Sequence, residues 1–114
     1  LDPLTVGKKQ ESILKNDYGC DLIVCLSHLG YTYKHDKVSD QVMAAHLSHT
    51  DLMIGGHTHT FMPAPEKVRN AAGRETLIFQ VGWAGINLGR VDFYVNPFVG
   101  RKAAGGESVP IKDR

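Results

Sequence analysis

A chain of 114 residues, 42% hydrophobic and 22% charged, has material for one compact unit but not for two, and no bias that would leave it unfolded throughout. Its net charge of +1 comes without a basic stripe or interleaved aromatics, which argues against a nucleic-acid polymer as partner. The longest apolar runs are too short to cross a bilayer, so no membrane span is expected.

The chain opens Leu1-Asp2-Pro3, without an initiator methionine or leader, and is read as a piece whose native start has been processed or cut away. Thr5 to Tyr18 is predicted as a helix around Val6, Ile13 and Leu14, with Lys8, Lys9 and Glu11 on its solvated face and Gly19 as its stop. Cys20-Asp21-Leu22-Ile23-Val24-Cys25-Leu26 is apolar at nearly every position, the composition of a parallel strand covered on both faces, and Thr50-Asp51-Leu52-Met53-Ile54 repeats the pattern. Between them, 36–48 lacks Gly and Pro and spaces Val38, Val42 and Ala45 as a helix, with Asp36 or Ser39 to cap it. The unit reads strand, loop, helix, strand, the length of a right-handed parallel crossover. Cys20 and Cys25 fall on opposite faces of the first strand, about 16 Å apart, and are read as free core thiols. Downstream, 62–65 is a proline-interrupted loop, and 66–69 and 75–81 are strands around a turn at Asn70-Ala71-Ala72-Gly73. Leu88 to Val95 is a half-buried strand, and 97–114 is expected as a flexible tail or linker beyond a unit of 1–96.

Both apolar strands deliver histidine at their C-terminal ends. The first runs into Ser27-His28-Leu29-Gly30, the second into Gly55-Gly56-His57-Thr58-His59-Thr60. In an open parallel sheet the functional groups gather beyond the carboxyl ends of the strands. Alternate residues of an extended segment point the same way, so His57 and His59 would present two imidazoles side by side, with His28 as third partner. That is a donor set for zinc, manganese or iron.

The strings Asp-Leu-Ile-Val-Cys-Leu-Ser-His-Leu-Gly at 21–30 and Asp-Leu-Met-Ile-Gly-Gly-His-Thr-His-Thr at 51–60 resemble the last two metal-ligand motifs of the calcineurin-like metallophosphoesterases, in the form of the 5′-nucleotidase branch. Phe79-Gln80-Val81-Gly82-Trp83-Ala84-Gly85-Ile86-Asn87-Leu88-Gly89-Arg90-Val91-Asp92 is similar to that branch's glycine-rich turn, so three motifs agree in order over roughly 14–95. The resemblance implies an α/β fold: half of a four-layer αββα sandwich, a βαβ unit followed by mostly antiparallel strands. It implies that His28 and His57 bind one metal and His59 the other, two divalent ions in the complete domain. It implies hydrolysis of a phosphoester or nucleotide, and a periplasmic or cell-surface location. The family's Asp-x-His, Gly-Asp-x-x-Asp and Gly-Asn-His-Asp/Glu motifs do not occur in this chain. The expectation is therefore a C-terminal half, inactive alone, whose N-terminal half is supplied in cis or in trans, with a homo-oligomer as another way to cover its strands.

From a different class, the same residues could form a noncatalytic metal-binding or interaction module. His46 and His49 are read as helix-terminus or surface residues, and His35 as part of a polar loop with Tyr31, Tyr33 and Lys34. Trp83 could stack on a base or pack among the glycines, and Asn87 is equally open.

Overall fold

The computed structural model describes residues 1–96, 98 and 100–112, the stretch 101–103 by backbone alone. Helix α1 spans Pro3–Asn16. It starts before the expected Thr5 because Asp2 is its N-cap, accepting from the Thr5 amide at 2.9 Å and the Thr5 hydroxyl at 2.6 Å, and Pro3 suits the first helical turn. Glu11 is not solvated: it is 5% exposed, and its carboxylate accepts from the amides of Ser48, His49 and Thr50 and from the Thr50 hydroxyl, all at 2.7–3.0 Å. A helix wheel of α1 alone hides this, because those donors lie 37 to 39 residues away.

Strand β1 is Val24–Leu26, α2 is Asp40–His46, β2 is Leu52–Ile54, β3 is Glu66–Arg69 and β4 is Glu75–Phe79. Helix α2 is shorter than expected because Ser39, the second of the two candidate caps, is the one that closes its start, accepting from the Val42 amide at 3.3 Å. The four strands form one sheet in the order β1-β2-β4-β3, parallel except for the β3–β4 hairpin. That hairpin turns at the expected place, where the Asn70 side chain accepts from the amides of Ala72 and Arg74 at 3.0 Å and Gly73 takes a φ of 76°.

Register sorts the apolar residues onto two faces. Cys25, Met53 and Ile78 stand in one row, and this face packs on Met43, Ala44 and Leu47 of the α2 side, with Met53, Ile78 and Ala44 at 0% exposure. On the other face Leu52, Leu77 and Phe79 pack with Met62 against Val91, Phe93 and Ala104. Those three come from β5, Asn87–Asn96, and β6, Gly100–Pro110, which form an antiparallel ribbon of their own. The ribbon covers only part of its face: Val24 is 43%, Leu26 79% and Ile54 46% exposed. The expectation that both parallel strands are covered on both faces therefore fails for β1, an edge strand with one open side.

β6 corrects the expected tail. Its register runs from Asn87↔Pro110 to Asn96↔Gly100, with an irregularity between Phe93 and Val95. It has few large apolar side chains, so alternation cannot betray it; backbone pairing and the Ser108 amide bonded to the Pro63 carbonyl at 2.9 Å hold it. Pro97, Val99, Asp113 and Arg114, also assigned to the tail, lie outside the described residues. Both cysteines are free, as expected. No described helix is long and apolar enough to cross a membrane.

Candidate functional site

Three parallel strands end at one place. β1 runs into Ser27-His28, β2 into 55–60, and β4 into 80–83. The His28 and His57 rings meet edge to face, centroids 5.2 Å apart and planes at 69°. With metal–nitrogen distances of about 2.0–2.1 Å, two imidazoles sharing one ion at a tetrahedral angle put their centroids about 5 Å apart, so this pair fits a common ion. His59 does not join them. It stacks on Trp83 at 5.9 Å and 15°, and Trp83 is 57% exposed. Among the described residues no group of three or more His, Cys, Asp or Glu side chains stands ready to hold a metal.

The reason for this divergence is local. The His57–His59 segment is not extended: His57 has φ 71° and His59 φ 53°, both left-handed, with Thr58 between them. The Thr58 amide bonds to the Gly56 carbonyl at 2.8 Å, closing a three-residue γ-turn of the rare hand around His57. Each left-handed residue other than glycine costs on the order of 1–3 kcal/mol and persists only where the surroundings over-determine it. The surroundings here are polar and buried. The Gln80 side chain, 2% exposed, accepts from the Thr60 amide at 3.1 Å and the Thr58 hydroxyl at 3.4 Å, and donates to the Gly56 carbonyl at 3.0 Å. The Thr58 hydroxyl also pairs with Thr60 at 2.8 Å and accepts from the Tyr31 amide at 3.0 Å.

Gln80 donates further to Asp40 at 3.3 Å, and Asp40, at 0% exposure, accepts from the Ser27 hydroxyl at 2.5 Å. Burial pushes the Asp40 carboxyl above its ordinary range, and the hydrogen bonds from Ser27 and Gln80 oppose that shift. Burial, with the charges of Asp40 and Glu11, also raises the Cys25 thiol, which keeps it protonated and unreactive. Asp40 and Gln80 escape a sequence reading for separate reasons. An acid in a first helical turn is already explained by the helix dipole. Gln80 does leave a signal, as the lone polar residue continuing the apolar run Leu77-Ile78-Phe79.

His46 and His49 lie at the far end of the sheet. The His46 ring bonds to the Val42 carbonyl at 2.8 Å, one turn back on α2, and the His49 amide is held by Glu11 just before β2. His35 stacks on Tyr33 at 5.6 Å, and Lys37 stands over the same ring at 4.6 Å. The Tyr33 hydroxyl donates to the Leu29 carbonyl at 2.5 Å, which ties this loop to the residue after His28.

No protein-family model matches the chain. It is 37% identical over 91 residues to the trifunctional nucleotide phosphoesterase protein YfkN of Bacillus subtilis (strain 168), across 80% of this chain and 6% of that protein. It is 27% identical over 108 residues to an apyrase of Tabanus yao, across 82% of this chain and 19% of the apyrase. The structure aligns with the 5′-nucleotidase precursor from Thermus thermophilus at a TM-score of 0.82 and 28% identity, over 97% of this chain and 23% of that one. The chain thus spans less than a quarter of each of these three proteins.

Proposed function

This chain belongs to the metallophosphoesterase family in its 5′-nucleotidase branch, of which it covers the C-terminal part, and from that premise we propose that it contributes part of the catalytic centre of a metal-dependent nucleotide phosphoesterase. The observation that carries the proposal is the convergence of His28 and His57 beyond the ends of β1 and β2, at the spacing of two imidazoles on one ion. His28 and His57 would hold one divalent ion and His59 a second. When bound, two such ions supply Lewis-acid activation of water and neutralise phosphoryl charge for in-line attack on a phosphoester. The chain's own contribution is to aim the imidazoles. Trp83 fixes one face of His59, and Gln80 holds the backbone that carries His57 and His59.

The open strip of Val24, Leu26 and Ile54 belongs to the same proposal. These side chains are too apolar for a solvated face, and the remainder of the enzyme, supplied in cis or in trans, is the partner that covers them. A second copy of this chain is the other candidate cover. Export to the periplasm or cell surface goes with this reading.

The test uses the full-length protein, a nucleoside monophosphate, and added manganese or zinc. Metal-dependent release of phosphate is expected, and the 114-residue chain alone should show none. His57→Ala and His59→Ala should each weaken metal binding by about 10-fold or more, read by calorimetry, while His46→Ala and His49→Ala leave it unchanged. Tight metal binding without hydrolysis in the full-length protein would favour the noncatalytic module. Equal losses from His46→Ala would remove the site from this end of the sheet.

A further inference from the structure

The ends of β1, β2 and β4 are joined by one buried polar chain. It starts at the Ser27 hydroxyl, which accepts from the Leu29 amide at 3.1 Å and so brackets His28. It crosses Asp40, whose backbone amide is itself bonded to the Gly30 carbonyl at 2.8 Å. It ends on Gln80, which grips the Gly56 carbonyl and the Thr60 amide on either side of the two left-handed histidines. There is no room to spare in it: a Cβ on Gly55 would collide with the Asp40 carboxylate and the Gln80 amide.

Stability alone accounts poorly for such a device. A buried carboxylate with neutral partners gives back much of its interaction energy as desolvation, and apolar replacements of similar volume are often neutral or stabilising. The raised Asp40 carboxyl records that burial cost. What the chain achieves geometrically is to lock two loops that belong to different strands. Gln80 clamps both ends of the left-handed turn, and Asp40 and Ser27 carry that clamp across to the His28 loop. Left-handed backbone at two alternate histidines is the strained conformation that such a cage must maintain.

We infer that Ser27, Asp40 and Gln80 form a positioning strut for the histidine loops, setting the separation of the His28 and His57 rings through the backbone that carries them. The inference rests on the proposed metal-binding role of those histidines. The strut residues act through His28, His57 and His59 and are positioning residues, not catalytic ones.

The experiment titrates the full-length protein with Co2+, reading affinity and the d–d absorption band, which reports ligand number and geometry. Ser27→Ala, Asp40→Asn and Gln80→Leu are compared with Glu11→Gln, a control that disturbs another buried carboxylate, one holding backbone amides at the opposite end of the sheet from His28, His57 and His59. The three strut variants should lose about 10–100-fold in Co2+ affinity and shift the band, as removal of groups that orient ligands does elsewhere. Glu11→Gln should lower the melting temperature with Co2+ affinity within about twofold of wild type. Strut variants that melt lower yet bind Co2+ with wild-type affinity and spectrum overturn the inference. So does a Glu11→Gln variant that loses affinity to the same degree. Should Asp40→Asn not fold, Ser27→Ala decides by the same criteria, since it deletes one hydroxyl. A wild-type protein with no Co2+ binding sensitive to His57→Ala defeats the metal reading itself, an outcome distinct from a strut that binds normally when cut.

Discussion

The parallel sheet and the β5–β6 ribbon are built on different terms. Strands β1 and β2 are three residues each and β4 five, yet Met53 of β2 and Ile78 of β4 are wholly buried between register neighbours and the α2 side. The ribbon strands run to 10 and 11 residues and, among the described side chains, bury almost nothing on their outer side, with Leu88 61% and Tyr94 67% exposed. Short strands succeed where side chains supply the stability; long ones are needed where backbone pairing must supply it. The site sits on the first kind of structure, which can hold a precise geometry because it is close-packed and tied by buried hydrogen bonds.

Truncation of core side chains should separate the two regions by the largest margin. Ile78→Ala should cost about 2–5 kcal/mol, because the residue is at 0% exposure between Met53 and the α2 side and leaves a cavity the sheet cannot close. Tyr94→Ala on the ribbon should cost no more than about 0.5 kcal/mol. Urea denaturation of both variants measures the difference. Similar losses would mean that the ribbon's outer face is packed against something.

The same contrast explains what could be read from the residues. The βαβ unit was legible because burial writes itself into composition: Leu22 to Leu26 and Leu52 to Ile54 are apolar beyond what a solvated strand needs. The hairpin at Asn70 and Gly73 was legible because turns demand particular side chains. β6 was not, since Ala104, Gly105 and Gly106 pair through backbone without a pattern of apolar side chains. His28, His57 and His59 stood out by type and by place at strand ends, but their orientation did not. The left-handed turn that separates His59 from the other two is held by Gln80, 20 residues beyond Thr60 in the chain. Glu11, Asp40 and Gln80 share that difficulty, each defined by partners remote in sequence.

Glycine substitutions sharpen the contrast at the level of single Cβ atoms. Gly55→Ala drives a methyl into the Asp40 carboxylate and the Gln80 amide, and should cost about 1–3 kcal/mol, the usual range for overpacking a close-packed site. Gly105→Ala meets nothing within 4 Å and should be neutral or stabilising by up to about 1 kcal/mol, through a less flexible unfolded chain. Thermal melts of the two variants would show opposite signs. A destabilising Gly105→Ala would imply that the ribbon is crowded where it is open in this structure.

Acid should act on the tied region through Asp40. The Asp40 carboxyl is raised in the folded state above its unfolded value of 3.8, chiefly by burial, so the folded protein holds its proton more tightly. Its contribution to stability is fully present below the unfolded value and is lost as pH rises through the raised folded value. Wild type should therefore gain on Asp40→Asn as pH falls from neutrality toward 3.8. Denaturation of both proteins at successive pH values isolates this group, because other carboxyls cancel in the difference. A pH-independent difference would place Asp40 in water.

The smallest effect belongs to the ribbon's outer ion pair. Arg90 Nε lies 3.0 Å from Asp92 Oδ2, the two being alternate residues on one face of β5, but their side chains are 64% and 44% exposed. At that exposure, ordering two side chains and screening by salt offset most of the attraction, so Arg90→Gln should cost no more than about 0.5 kcal/mol, and less at about 1 M salt. A loss above about 1 kcal/mol, persisting in salt, is more than an exposed pair supplies and would require a desolvated surrounding. Among the described residues the outer face is open in this structure, so that result would mean that something else closes over the ribbon. The contrast between the two regions would then be one of which neighbour covers them, not of how they are built.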